Sequence, residues 1–296
     1  MHSLRVRYIR PAMLLAGCFL IALAVSGCSG KSKGANFDWN LFVAEFRPDA
    51  PGVMGVLYIT VVVSVIAQAL GVLLGIFAAL GKMSRLLPLK VIANFYIWVF
   101  RGTPLLVQLV LLFYGFGVAH IYDWPPQFLL GFTIPGELYA AIVILGVNEG
   151  AYMAEIVRAG IIAVDPGQTE AAKSLGMTYG KTMTRIVLPQ AARVIIPPLG
   201  NEFNNMLKTT SLIFVLGVVE TYNHYNNVQA GNAHPFEAFL ACALWFLLLT
   251  TLWGFVQGWI ERKFAKGTSL SSAPAGPGWR DRFLGRTQVG AGAGGH

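Results

Sequence analysis

Charge is scarce in this sequence: only 12% of its 296 residues are Asp, Glu, Lys or Arg, while 55% are hydrophobic. Ordinary soluble domains carry about 25% charged residues. Half the usual polar coat is missing, which excludes a freely soluble domain and makes lipid the solvent for most of the surface. Cysteine is rarer still. The three copies, Cys18, Cys28 and Cys242, lie far apart, so they suggest neither a disulfide framework nor a metal site. The histidines (His2, His120, His224, His234 and His296) show no metal-ligand spacing, and no convergent nucleophile constellation accompanies them. A lipid-anchored membrane enzyme, one of the readings open to so apolar a chain, is therefore disfavoured.

What the chain has in quantity is uncharged length. No charge occurs between Asp49 and Lys82, between Arg101 and Asp123, or between Glu237 and Glu261. About 20 apolar residues in a helix cross the roughly 30 Å hydrocarbon core, so each run is long enough. Two further spans, about 137–160 and 194–221, are interrupted by Glu149 and Glu155 and by Glu202 and Lys208. The expectation is an all-α integral membrane protein with five core spans.

The excess of 22 basic over 14 acidic residues first suggests a nucleic-acid partner, but its distribution decides otherwise. If the first core span runs from outside to inside, the inner segments hold Arg5, Arg7, Arg10, Lys82, Arg85, Lys90, Arg158, Lys173, Lys181, Arg185, Arg193, Arg262, Lys263, Lys266, Arg280, Arg282 and Arg286. The outer segments hold Lys31, Lys33 and Arg47. This is the positive-inside bias of a bacterial cytoplasmic-membrane protein, with the amino end of the core outside and the carboxyl end in the cytoplasm. The basic balance is a topology signal, and no nucleic-acid partner is implied.

The two ends differ from the core. Residues 1–28 run from basic residues through an apolar stretch to small ones, the layout of a secretory signal. Val25-Ser26-Gly27-Cys28 also resembles a bacterial lipobox, in which Cys28 is lipidated and becomes the first residue; the alternative is an uncleaved extra helix. Either way residues 29–52 form an extracytoplasmic linker, residues 53–264 the membrane domain and residues 265–296 a Gly-, Ala-, Ser- and Pro-rich cytoplasmic tail that cannot bury enough apolar surface to order itself.

The longest inner connection, about 160–193, carries the strongest local signals. Asp165 is placed to cap a helix, Pro166 suits its first position, Gly167 follows in the first turn and Gln168 can reach back in a capping box. Gly176 supplies a stop with positive φ. Thr178 can start a second short helix that ends before Pro189. Ala171 and Ala172 permit close approach to a groove and Glu170 offers a partner to a basic side chain, although a plain amphipathic connector fits the same residues. The nearby Gly176-Met177-Thr178-Tyr179-Gly180-Lys181-Thr182 is one residue too short between its glycines for a P-loop, and no strand precedes it.

Glu170-Ala171-Ala172, Gly176 and Ile186-x-Leu188-Pro189 resemble the EAA loop of ABC importer permeases. Arg101-Gly102-Thr103-Pro104-Leu105-Leu106-Val107-Gln108 is similar to a segment of the polar amino-acid branch of that family. So are Gly150-Ala151-Tyr152-Met153-Ala154-Glu155-Ile156-Val157-Arg158, Pro198-Leu199-Gly200-Asn201-Glu202-Phe203 and Leu207-Lys208-Thr209-Thr210-Ser211-Leu212. The likeness covers roughly 53–264. It implies a five-helix type I importer core whose EAA helix (Asp165, Gly167, Glu170, Ala171, Ala172, Gly176) docks on a cytoplasmic ATPase. It further implies a second permease subunit, an extracytoplasmic solute-binding protein and a polar amino-acid substrate. The chain is then no enzyme and holds no cofactor; ATP and Mg belong to the partner ATPase. The rival, a self-contained channel or secondary transporter, leaves the capped loop unexplained. Glu149 stands where the family usually has a small or polar residue.

Polar groups at mid-bilayer face a cavity or a partner, since an ionised side chain there costs about 2.5–3.5 kcal/mol. Asn148 and Glu149 fall in the middle of the third span, and Glu202, Asn205 and Lys208 recur at helical spacing in the fourth. One reading is a solute pocket in which carboxylates and amides take an α-ammonium and Lys208 takes a carboxylate. The other is a static Glu–Lys pair. Glu155 and Arg158 are expected to form structural ion pairs near the inner surface, Arg101 to anchor the inner end of the second span, and Gly71 with Gly75 to pack a neighbouring helix.

Overall fold

A computed structural model describes residues 37–129, 131–232 and 234–265. The signal-like segment 1–28, its Cys28 and the tail beyond residue 265 lie outside the described residues.

Ten helices and one small hairpin account for the described chain. The first helix, α1 (Trp39–Phe46), falls inside the stretch read as a linker. Asp38 caps it, its Oδ1 accepting from the amides of Asn40 and Leu41 at 2.9 and 3.0 Å. An eight-residue helix is marginal alone. Here Phe42 stacks on Phe46, and Phe46 meets Trp245 at 5.3 Å between ring centroids, so the helix is held by a span two hundred residues away.

The long helix α2 (Val53–Met83) follows, then α3 (Leu87–Gly102) and α4 (Leu105–Val118). The uncharged stretch read as one span from Arg101 is therefore the second half of a broken one: α3 and α4 meet at a 107° bend. Thr103 is extended (ψ 146°), as the residue before a proline prefers. Between α4 and the next helix, β1 (Gln127–Leu129) and β2 (Phe132–Ile134) form an antiparallel hairpin with Phe128 opposite Thr133, a small departure from the all-α expectation.

Helix α5 (Gly136–Ile162) is the buried centre and packs lengthwise on α2, whose first turns instead meet the last helices of the chain. The interface is built from two glycine pairs. Gly71 and Gly75 on α2 receive Glu149 and Met153, while Gly146 and Gly150 on α5 receive Leu70 and Leu74. Only the first pair was singled out from the sequence, although the second has the same spacing. Near the C-terminal end of α2, Glu155 accepts from Lys82 Nζ at 2.5 Å and from Arg158 at 2.8 Å, the ion pairing expected for Glu155 and Arg158 with Lys82 added.

Next come the polar α6 (Pro166–Ser174) and α7 (Tyr179–Thr182), and then α8 (Leu188–Thr209). The short helix does not end before Pro189. A π turn, Met183–Val187, joins α7 to α8 without a break, and the widened turn accommodates the missing proline N–H at the start of α8. Pro197 and Pro198 lie inside α8, and Gln257 and Trp253 donate to the nearby carbonyls of Pro197 and Gly200, both at 2.8 Å. A 3₁₀ turn, Thr210–Leu216, closes at Gly217 (φ 87°). Glu220 then caps α9 (Thr221–Asn232), accepting from the amides of Tyr222 and Asn223 at 2.8 and 2.9 Å. The last helix is α10 (Pro235–Ala265).

Among the described residues three helices, α2, α5 and α10, are long and apolar enough to cross a membrane, with the α3–α4 pair a fourth if it counts as one span. Helix α8, placed among five spans by the sequence reading, is too rich in Pro, Asn and charge to meet that test; its polar face turns to a cavity.

Candidate functional site

Half-way along α5 the helices enclose a cavity of about 310 Å³. Asn148, Glu149 and Tyr152 come from α5, Glu202 and Asn205 from α8, and Leu105 from the start of α4. Four of the five residues read from the sequence as a solute pathway thus share one wall. The fifth does not. Lys208 is exposed and is absent from the lining, and among the described residues no ion pair joins it to Glu149. The static Glu149–Lys208 pair is therefore not formed, and Lys208 is not placed to bind a carboxylate in this cavity. The helical period explains this: Lys208 lies six residues beyond Glu202, which turns it well away from the wall that Glu202 and Asn205 share.

Glu149 is 6% exposed, and its Oε1 has no hydrogen-bond partner within the protein. Asn205 Nδ2 donates weakly, at 3.4 Å, to Glu202 Oε2. Two carboxylates and one amide therefore converge on a space bounded by Leu145, Met206 and Leu212, with no described cation in the wall. A buried acceptor left unpaired is expensive unless something occupies the space.

Asn148 also has a structural task. Its Nδ2 donates to Phe100 O at 3.1 Å and to Gln108 Oε1 at 2.9 Å. Gln108, in turn, donates through Nε2 to Phe100 O and to Thr103 O and Oγ1. The pair satisfies carbonyls freed by the α3–α4 bend and pins that bend to α5 beside the cavity. The sequence reading named Gln108 only as the end of a family-like segment and gave it no role; its signal was a lone amide after a Gly-Thr-Pro break. Arg101 stands at the α3–α4 bend, its guanidinium 5.3 Å from the centroid of the Tyr152 ring.

In the polar connection between α5 and α8 the helix-capping signals hold. Asp165 Oδ1 accepts from Gly167 N at 2.8 Å. Gly176 has φ 74°, and the amides of Gly176 and Met177 donate to the carbonyls of Lys173 and Ala172 at 2.9 and 3.0 Å, a complete Schellman stop. The capping box is not made; Gln168 Oε1 instead accepts from Gln190 Nε2 at 3.5 Å, tying α6 to the start of α8. Glu170 and Ala171 are exposed while Ala172 is buried, since neighbours on a helix point about 100° apart. Leu175 and Tyr179, 83% and 71% exposed, add apolar surface to this face.

Apolar helices around a polar cavity, with a capped polar helix held outside the bundle, are the layout of a membrane permease. Comparison with known proteins makes the class specific. Residues 71–266 match the family model described as a binding-protein-dependent transport system inner membrane component, and the chain belongs to that family. Curated relatives include the arginine transport system permease protein ArgU of Corynebacterium glutamicum, 40% identical over 71% of this chain and 67% of that protein. The arginine transport system permease protein ArtQ of Bacillus subtilis is 37% identical over 76% of this chain and 97% of its own length. A solved amino acid ABC transporter with histidines matches at 37% identity and a TM-score of 0.68, over 77% of this chain and 100% of that one. The methionine ABC transporter MetNI, at 16% identity and a TM-score of 0.57, shares the fold.

Proposed function

We propose that this chain is the membrane-spanning subunit of an ATP-driven importer for polar amino acids. Its core comprises five spans, with the broken α3–α4 pair and the proline-bent α8 counted beside α2, α5 and α10. Two permease subunits form the pathway, and an extracytoplasmic binding protein delivers the solute. Two cytoplasmic ATPases hold ATP and Mg, and each receives one α6 helix. Closure of the ATPases moves α6, and Gln168–Gln190 with the π turn carry that motion into α8, which lines the cavity.

The observation that carries the substrate reading is the unpartnered Glu149 Oε1 in a cavity shared with Glu202. Such a pair at mid-bilayer favours a cationic group, and the names of the arginine-permease relatives agree with a basic amino acid. The test is co-purification with its partner ATPase, followed by ATPase assays with binding protein and single amino acids. Stimulation by no amino acid would refute the reading. In a transport assay Glu149→Gln should lower uptake of arginine or lysine at least about tenfold more than that of glutamine, the loss expected for one charged hydrogen bond. Equal transport of all three by the variant would exclude Glu149 from the site.

The orientation carries its own check. Cysteines placed at Asp123 and Asn227 should react with an impermeant reagent in intact cells, and cysteines at Lys173 and Lys266 only after lysis. Labelling of position 173 in intact cells would overturn the topology.

A further inference from the structure

A second recess of about 360 Å³ adjoins the carboxylate cavity, lined by Ile97, Trp98, Arg101, Gly102 and Tyr152. Tyr152 belongs to both walls. It is shared by a recess that holds Glu149 and Glu202 and by one that holds Arg101. Arg101 forms no ion pair among the described residues, and its side chain is exposed. An exposed guanidinium is unfavourable against hydrocarbon, so this face is turned to a wet pathway or to a charged ligand. The aromatic face of Tyr152 orients the cation without neutralising it. The α3–α4 bend, pinned by Gln108 and Asn148, fixes where Arg101 leaves the chain.

We propose that Arg101, steadied on the Tyr152 ring, receives the α-carboxylate of the transported amino acid while Glu149 and Glu202 receive its cationic groups. The assignment rests on the cavity being the substrate site. It replaces Lys208, which faces elsewhere, and it explains why the cavity wall holds acids with no compensating base. A planar guanidinium matches a carboxylate with two parallel N–H donors, a fit that lysine lacks.

The test uses the purified permease–ATPase complex without binding protein and compares equilibrium binding of labelled L-arginine with that of agmatine, which keeps the guanidinium and amine-bearing chain but has no carboxylate. Arg101→Gln should weaken L-arginine at least about tenfold and leave agmatine unchanged. Arg101→Lys, which keeps the charge, should assemble normally and recover part of the L-arginine affinity. Unchanged L-arginine binding, or equal loss of both ligands in either variant, would overturn the assignment. Glu149→Gln should weaken both ligands. If it weakens neither while Arg101→Gln still discriminates between them, the carboxylate cavity is wrong and the Arg101 role stands.

Discussion

Leucine at Gly75 is expected to remove most folded protein from the membrane, whereas leucine at Gly55, on the same helix, is expected to leave its yield nearly unchanged. A Cβ at Gly75 would collide with Met153 Cβ and would lie 2.9 Å from the Ala154 backbone nitrogen. The second contact is decisive, because shortening Met153 cannot relieve it; α2 and α5 must separate. Inserting even one or two methylenes into a packed interface costs about 1–3 kcal/mol, and a leucine here adds more atoms against backbone. Separation also opens the next contact, where a Cβ at Gly71 would stand 2.6 Å from Glu149 Cγ. The glycine seam thus sets how near the Glu149 carboxylate comes to α2, and it holds both the bundle and the cavity wall. At Gly55 nothing lies within 4 Å, so a leucine there gains helix propensity and meets no neighbour. Yield of monodisperse protein after detergent extraction, with thermal unfolding of the extracted material, measures both variants. Equal yields would show that the α2–α5 packing is not as described.

How much of this was legible beforehand depends on the range over which each feature is determined. The ends of α6 were readable because caps are local: Asp165 two residues from Gly167 and Gly176 beside Met177 involve only adjacent residues. Glu149 was readable because a lone carboxylate in an apolar run is conspicuous at any fold. The docking of α1 was not, since its eight residues are held by Trp245, and no local pattern announces a partner that distant. The bend at Thr103-Pro104 was obscured because the flanking runs are uncharged and sum to one plausible span; the proline was the available signal. Lys208 was misplaced for a related reason. Its spacing from Glu202 was counted in residues, while the direction of a side chain is set by angle, and six residues carry it well round the helix.

Substitution at the helix stop should uncouple the transporter without unfolding it. Gly176 sits at φ 74°, and an added Cβ there meets nothing within 4 Å. Any effect of a larger residue is therefore conformational and not steric. Valine is strained in the left-handed region, as β-branched residues are, and asparagine is tolerated there. Gly176→Val should unwind the last turn of α6, lose the bonds to the Lys173 and Ala172 carbonyls, and swing the exposed Leu175 and Tyr179 away from the face that carries Glu170 and Ala171. Gly176→Asn should keep most of that geometry. Asp165→Ala, which removes the cap on Gly167 N, should fall between them, costing the helix about 1 kcal/mol. The expected order of substrate-stimulated transport is wild type, Gly176→Asn, Asp165→Ala, then Gly176→Val. The last should be reduced at least about tenfold, in keeping with a strain of about 1–3 kcal/mol at the stop. Glu170→Lys should act on the same step by charge alone, since Glu170 is exposed and caps nothing. All four variants should insert and extract like the wild type, because α6 stands outside the bundle. Full transport by both Gly176→Val and Glu170→Lys would mean that α6 does not touch the motor, and the route from ATP closure to α8 would have to be sought elsewhere.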